Sequence, residues 1–564
     1  MPTLDWIGKD KIINHHLDVP YRVLKRQYSY DEDGQHIEDN GSENMIIHGD
    51  NLSALKSLLP QYEGRIKCIY IDPPYNTGNE NWVYNDNVND SHIKKWLGEV
   101  VGKEGEDLSR HDKWLCMMYP RLKLLQKLLS KDGVILISID DNELYNLRLM
   151  CDEVFGANNF VATCIWQGSK KGDAKLISVA HEYIVIYVAN KAEMTANKVM
   201  WRREKQGLEE IFSHYDALRN KYGQDHLTIQ KEMKKWYKSL PTDSPCRNQK
   251  HYCFSDDRGL YFPDNFAGPN DGRENRPRYD IIHPITGMPC KKPATGWRWD
   301  EEHTKAALAE NPPRIHFGET HETIPCRKSY LKDVDKEPFS SVFYRDGRGA
   351  SAMVDQMLGK GSFDFPKDPE ILAQLIEMVT NQGDIILDSF AGSGSTAHAV
   401  LKLNKDKGAR KFILIEMLEY AETKTAERVR KTIAGYQSGK TFVSGTGGNF
   451  SYYELGDTLM NGDELNEAVG VDKIREYVYF TETKSRLISF KDDEPYYLGT
   501  HITTAYYFYY DRENVTTLSR AFLHTIKTKA DSYVIYADLC TLSVAELEKY
   551  HITFKKIPRD ITKL

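Results

Sequence analysis

An α/β fold, a doubly wound and largely parallel sheet, is predicted for this chain by three observations. Short apolar strands alternate with helical patterns over residues 45–190 and again over 366–435, as in a sheet covered by helices on both faces. Two of those strands run straight into an acid: Ile66-Lys67-Cys68-Ile69-Tyr70-Ile71 into Asp72, and Ile385-Ile386-Leu387 into Asp388. The second leads to a glycine-bearing turn, Phe390-Ala391-Gly392-Ser393-Gly394, and then to a helix start at Ser395 and Thr396. Such a turn lets backbone approach a ligand closely, and the free N–H groups of a helix start attract an anion.

The elements follow in order. Residues 1–40 lack clear periodicity, pass through the polar Asp31-Glu32-Asp33-Gly34, and read as an arm. Strands are expected near 45–48, 67–71, 133–138 and 182–188. The strongest helix is Trp114–Leu129, where Leu115, Met118, Leu122, Leu125 and Leu129 form one apolar stripe. Over 191–350 Pro, Gly, Trp, Tyr and Arg intermingle with no long helical pattern, the character of an insertion that presents side chains on shaped loops. The α/β pattern returns at 366–435. Gly445–Gly448 reads as a linker, and 460–564 as a small mixed domain with a helix near 464–477 and tyrosine-rich strands at 505–510 and 533–536.

Composition limits the function. The net charge of −7 argues against a protein that coats nucleic acid indiscriminately, yet residues 191–300 carry 20 Lys+Arg against 15 Asp+Glu, a local surplus suited to phosphates. No stretch approaches the length of a membrane span and no basic-then-apolar leader opens the chain, so a cytoplasmic protein without membrane contact is expected. Nine cysteines, scattered without a pairing pattern, fit reduced thiols. No Cys-x-x-Cys pair accompanies Cys246, His251, Cys253 and Cys290, so no metal is expected. Gly435-Tyr436-Gln437-Ser438-Gly439-Lys440-Thr441 is one residue short of a phosphate-binding loop and follows a helix instead of a strand.

The run Asp72-Pro73-Pro74-Tyr75 carries the chemistry. A carboxylate ends a buried strand, two prolines stiffen the turn, and an aromatic ring follows. Proline has no N–H and a fixed φ, so the loop can offer the Pro73 carbonyl beside the Asp72 carboxylate as two acceptors for an exocyclic amine. Tyr75 offers a stacking face for a base drawn out of its helix. The strand Lys411-Phe412-Ile413-Leu414-Ile415 ends in Glu416, where a doubly wound sheet places an acid to hold ribose hydroxyls. With the third glycine of the dinucleotide fingerprint missing, adenosyl is the better ligand than pyrophosphate.

On these motifs and their order the chain resembles the β-class amino-methyltransferases of DNA, in which the catalytic motif comes first, a target-recognition region follows and the glycine motif comes last. The resemblance extends to Ile46-Ile47-His48-Gly49-Asp50-Asn51-Leu52 and to Phe365-Pro366-Lys367-Asp368-Pro369, where Asp368 is unusual. Leu4-Asp5-Trp6-Ile7-Gly8-Lys9, Tyr75-Asn76-Thr77-Gly78-Asn79-Glu80 and the run from Arg276-Pro277-Arg278-Tyr279 to Gly296-Trp297-Arg298 look, more narrowly, like the Mod subunits of type III restriction-modification systems. The resemblance implies a Rossmann-like, circularly permuted methyltransferase sheet. It implies an arm at 1–40, a catalytic half at 41–190, a target-recognition insertion at 191–350, a cofactor half at 351–440 and a C-terminal interaction domain at 441–564. S-adenosyl-L-methionine is the implied cofactor, held by Asp50, Lys367, Asp388, Phe390, Gly392, Gly394, Ser395, Thr396 and Glu416. Asp72, Pro73, Pro74 and Tyr75 are the implied catalytic residues, and N6 of adenine in double-stranded DNA the implied substrate. Lys292, Arg276, Arg278 and Arg298 are the expected DNA contacts. A homodimer and a separate helicase-nuclease restriction subunit are the implied partners.

Overall fold

Strands buried on both faces of a parallel sheet need unbroken apolar runs, and Ile66–Ile71, Ile385–Leu387 and Phe412–Ile415 have them. The computed structural model describes residues 4–77, 109–168, 175–241, 244–272, 275–487, 491 and 493–559, with Lys95 and Glu99. Gly78, Asn79 and Glu80 of the Mod-like block lie outside the described residues. The chain divides into two compact units, residues 1–200 with 340–564, and residues 201–339.

The first unit is organised by an eleven-stranded sheet. Its strands are β1 (Arg22–Asp31), β2 (Gly34–His36), β3 (Met45–His48), β4 (Ile66–Ile71), β5 (Leu129–Ile139), β6 (Phe160–Gln167), β7 (His181–Val188), β8 (Val342–Tyr344), β9 (Ile385–Asp388), β10 (Lys411–Glu416) and β11 (Phe450–Thr458). Their order is β8-β6-β7-β5-β4-β9-β10-β3-β11-β1-β2. The run from β5 to β11 is parallel, and β7 pairs antiparallel with β5. Helices α1 (Asn51–Tyr62), α2 (Arg110–Leu128), α3 (Pro369–Val379), α4 (Ser395–Lys407) and α5 (Glu427–Ala434) accompany the sheet. Ile69, Ile71, Leu387, Ile413 and Ile415 join Leu55, Leu58, Leu122 and Leu125 of α1 and α2 in one buried cluster. Helix α2 begins at Arg110, a turn before the apolar stripe, because Ser109 and Asp112 form a reciprocal capping box.

Several elements differ from the sequence reading. Residues 22–31 are no arm: β1 pairs along its length with β11, and Tyr28 stacks on Tyr452 at 5.1 Å. A strand whose partner lies hundreds of residues away and whose faces are only half buried carries little periodicity of its own. After Gly445–Gly448 the chain re-enters the main sheet as β11. The helix expected near 464–477 runs Val471–Thr483, because Glu464–Leu465 instead pairs with Met460–Asn461 around Gly462 at φ 63°. Beyond it, strands Tyr497–His501, Thr504–Phe508, Ser532–Ala537 and Ile552–Lys556 form a four-stranded sheet.

The second unit does contain long helices, Leu208–Tyr222 and His226–Ser239. Ile211, Tyr215 and Leu218, with Ile229, Met233 and Tyr237, supply the inward faces of a core that also takes in Cys246 and Leu331. Their apolar residues are spaced helically but diluted by Lys and Glu. A four-stranded antiparallel sheet and a second cluster around Phe266, Ile281 and Trp297 complete this unit. Among the described residues no helix is long and apolar enough to cross a membrane. All nine cysteines are free thiols.

Candidate active site

Strand β4 continues to β5 on one side, while β9 continues to β10 on the other. Their carboxyl ends therefore part at a topological switch point, where open α/β sheets form a crevice. Ile386 sits opposite Cys68 and Leu387 opposite Ile69, which brings Asp72 and Asp388 to the same rim. The cavity there is lined by Tyr70, Asp72, Lys367, Asp388, Phe390 and the turn residues Gly392, Ser393, Ser395 and Thr396, with Phe363, Phe365, Pro366 and Ala391.

The loop after β4 is held rigidly. Trp114 Nε1–H donates to the Pro74 carbonyl at 2.7 Å. Asn76, buried and at φ 58°, donates from Nδ2 to the buried Glu143, which His111 Nδ1 also approaches at 2.6 Å. Tyr75 O–H donates to Glu182 Oε2 at 2.9 Å. Lys367 Nζ donates to Glu182 Oε2 and to the Tyr75 hydroxyl, both at 2.7 Å, and lies 3.3 Å from Asp72 Oδ1. That last contact is an ion pair without hydrogen-bond geometry, so among the described residues Asp72 Oδ1 is a buried acceptor that makes no hydrogen bond. Burial raises the Asp72 pKa and Lys367 opposes the rise, while Glu182 adds to it. Burial pulls the Lys367 ammonium down, but Asp72 and Glu182 together leave it above its ordinary value.

The glycine turn is organised from behind. Gly392 and Gly394 take φ 54° and 81°, and a Cβ on Gly394 would meet the Thr425 carbonyl at 3.2 Å. Asp388 accepts from Phe390 N–H at 3.0 Å and from the Thr396 hydroxyl at 2.5 Å. Glu416 accepts from Gly392 N–H at 2.8 Å and Leu418 N–H at 3.0 Å. Burial pushes both carboxyls up to about 7. Arg428 on α5 donates to the Ser393 and Ser395 hydroxyls at 2.5 and 2.8 Å, and Ser395 donates to the Lys367 carbonyl at 2.9 Å.

Of the nine residues expected to hold a cofactor, Lys367, Asp388, Phe390, Gly392, Ser395 and Thr396 line the cavity. Gly394 and Glu416 stand behind it. Asp50 is apart from the cavity wall: its carboxylate caps α1 through Ser53 N–H at 2.8 Å and lies 3.5 Å from the buried Arg121. Of the residues expected to be catalytic, Asp72 lines the cavity, and Tyr75 reaches it through Lys367. The four cationic residues expected at DNA lie in the second unit and are not equivalent. Arg276 Nη2 donates to both oxygens of Asp271 at 2.8 Å, and its side chain fills the space beside Gly268 and Gly296. Lys292 pairs with Asp280 at 2.8 Å, and Arg278 donates to the Ala294 carbonyl at 2.6 Å. Arg298 is exposed.

Glu182, Arg428, Trp114 and Glu143 did not stand out in the sequence. An acid opening the otherwise apolar Tyr183–Val188 was the one available signal for Glu182. The DNA methylase family profile matches residues 66–428. The type III restriction-modification enzyme EcoP15I Mod subunit of Escherichia coli is 32% identical over 438 residues, covering 75% of this chain and 65% of its own. The EcoPI Mod subunit of Escherichia phage P1 is 31% identical, covering 73% and 63%. The type II methyltransferase M.KpnI of Klebsiella pneumoniae is 29% identical, covering 72% and 86%. The chain thus spans a little under two thirds of the length of the two Mod relatives. The family profile takes in both motif-bearing strands, the loop that carries Lys367 and more than half of the chain, and the chain belongs to the N6/N4 DNA methylase family.

Proposed function

We propose that this protein transfers a methyl group from S-adenosyl-L-methionine to N6 of adenine in double-stranded DNA, as the modification and site-recognition subunit of a type III restriction-modification system. The observation that carries the chemistry is Asp72, on the cavity wall, whose buried Oδ1 accepts no hydrogen bond from the described residues. A buried acceptor left unsatisfied is costly unless a ligand supplies the donor. The cofactor fits the same cavity. The carboxyl of Asp388, on its wall, and that of Glu416, bound to the Gly392 N–H, gain from the hydroxyl and cationic donors of an adenosyl amino acid. The positive-φ glycines let the backbone of the turn approach such a ligand closely.

S-adenosyl-L-methionine supplies an electrophilic methyl group when bound. The adenine amine is a poor nucleophile because its lone pair is delocalised into the ring. Hydrogen bonds from its two hydrogens to Asp72 Oδ1 and the Pro73 carbonyl favour a tetrahedral nitrogen and free that pair. As nitrogen gains a methyl group it also gains positive charge, which the Asp72 carboxylate stabilises and then relieves by accepting one proton. The Tyr75 ring, anchored through its hydroxyl, is the stacking face for the extruded base. Recognition is assigned to residues 191–350, with Arg298 and Arg278 as foremost DNA contacts. The protein acts as a homodimer beside a helicase-nuclease partner, in the cytoplasm.

Mass analysis of nucleosides from duplex DNA incubated with the protein and cofactor tests the reaction: N6-methyladenine is expected, and N4- or C5-methylcytosine alone refutes it. A second reading, a methyltransferase that works without a nuclease partner, is favoured by the match across 86% of a type II methyltransferase. Co-purification of a helicase-nuclease with the tagged chain from its own cells separates the two.

A further inference from the structure

Bonded to the cavity-lining Lys367 is a carboxylate with no part in the reaction as described. Strand β7 runs antiparallel to β5, so its first residues lie on the rim where β4 ends: Tyr183 faces Ile139, and Ile137 faces Ile71. Glu182 is thereby placed where its Oε2 accepts from both the Lys367 ammonium and the Tyr75 hydroxyl. Its side chain is about three-quarters buried, and those of Lys367 and Asp72 nearly nine-tenths.

We propose that Glu182 is a positioning residue for methyl transfer: it holds the Lys367 ammonium and the Tyr75 hydroxyl so that Asp72 Oδ1 is neutralised yet left open to the substrate amine. The inference rests on the catalytic reading of Asp72 given above. An ammonium has three N–H donors. Two point at Glu182 and Tyr75 at 2.7 Å, which leaves Asp72 at 3.3 Å and off axis. At that distance the charge is felt but the lone pairs stay available. Without Glu182 the best remaining acceptor for Lys367 is Asp72 itself, and a direct hydrogen bond there competes with the amine. Tyr75 would lose its acceptor at the same time, freeing the stacking ring. The charged and titratable groups facing Asp72 are Lys367, Glu182, Tyr75, Tyr70 and Asp388. Of these, Lys367 and, more weakly, the Tyr75 hydroxyl favour its ionised form, while Glu182 and Asp388 disfavour it.

The test is single-turnover methyl incorporation into duplex DNA, with cofactor and DNA saturating, as a function of pH for the parent, Glu182→Gln and Lys367→Met. Removing the Glu182 charge makes Asp72 easier to ionise, so the half-rate pH of the acid limb moves down by about one unit. The neutral amide oxygen of glutamine holds an ammonium more weakly than a carboxylate does, so Lys367 turns onto Asp72 and the plateau falls roughly tenfold to a hundredfold. Lys367→Met moves the half-rate pH the other way, up toward neutrality. Damage to the fold lowers both plateaus without opposite shifts, and Glu182→Asp, which restores the charge, returns the acid limb toward the parent. A parental profile for Glu182→Gln, or shifts of the same sign in both variants, overturns the proposal. Methyl incorporation is blind to the base modified, so a cytosine product defeats the adenine reading while this test still stands.

Discussion

At the scale of single residues, the proposed roles separate accepting an amine from holding a cofactor. Asp72→Ala removes the buried acceptor but leaves the Gly392 turn and its supports untouched, so methyl incorporation is expected to fall by at least about a thousandfold. Calorimetric titration should find cofactor affinity nearly unchanged. Gly392→Trp does the reverse: a side chain where φ is 54° on the cavity wall blocks the cofactor, and transfer is lost as a consequence. Asp388 and Glu416 make binding depend on pH. Both sit near 7 because burial disfavours their charged forms, whereas donors on a ligand favour those forms. Affinity should therefore rise with pH up to about 7 and level off above it, and below that point fall by up to about tenfold per unit for each carboxyl. Glu416→Gln should weaken binding and flatten this dependence, as titrations between pH 5.5 and 8.5 would read. A steeper dependence in the variant contradicts the assignment.

At the scale of elements, the start of α3 shows why an unusual residue is kept. Asp368 caps the helix through Glu370 N–H at 2.8 Å and accepts from Arg345 Nε at 2.7 Å, while Pro369 occupies the first helical turn. Its neighbour Lys367 is thereby fixed in backbone as well as side chain, with its carbonyl held by Ser395. Asp368→Ala should cost about 1–2 kcal/mol in a urea melt, and Asp368→Asn, which can still cap, clearly less. Methyl transfer should fall further than cofactor binding in the alanine variant, since Lys367 is displaced from Asp72. The capping box of α2 works similarly, because Trp114 lies one turn inside it and holds the Pro74 carbonyl.

At the scale of the molecule, the sheet is assembled out of sequence order. Strands β9 and β10 return after the second unit to slot between β4 and β3, so a reaction site arises from segments more than three hundred residues apart. Residues 201–339 have their own cores. Exchanging them for the matching segment of a relative should change the methylated sequence and leave the type of base modified unchanged. A hybrid that folds and still methylates the parental site would place recognition elsewhere. Within the segment, Arg298→Ala should weaken DNA binding roughly tenfold with no loss of thermal stability and a shallower salt dependence. Arg276→Ala should instead lower stability, because that side chain packs against Gly268 and Gly296 and pairs with Asp271.

Features that depend on neighbours along the chain are legible in the residues alone. The apolar runs ending in Asp72, Asp388 and Glu416 are strands because their residues suit burial on both faces, and the glycines of the turn are there because φ is positive. Tertiary structure alone decided what depends on partners brought together from afar. Residues 22–31 became a strand of the main sheet only because β11 offers a ladder, since half-buried strands have weak patterns of their own. The helices Leu208–Tyr222 and His226–Ser239 drew their stability from each other's faces, which a diluted stripe does not announce. Lys367, expected at the cofactor, also reached Asp72 and Tyr75, and Glu182 joined them, because an antiparallel strand set its first residues on the rim of parallel ones. Burial there turned four ordinary side chains into one coupled group, in which two carboxylates share a single ammonium because the fold placed no other cation within their reach among the described residues.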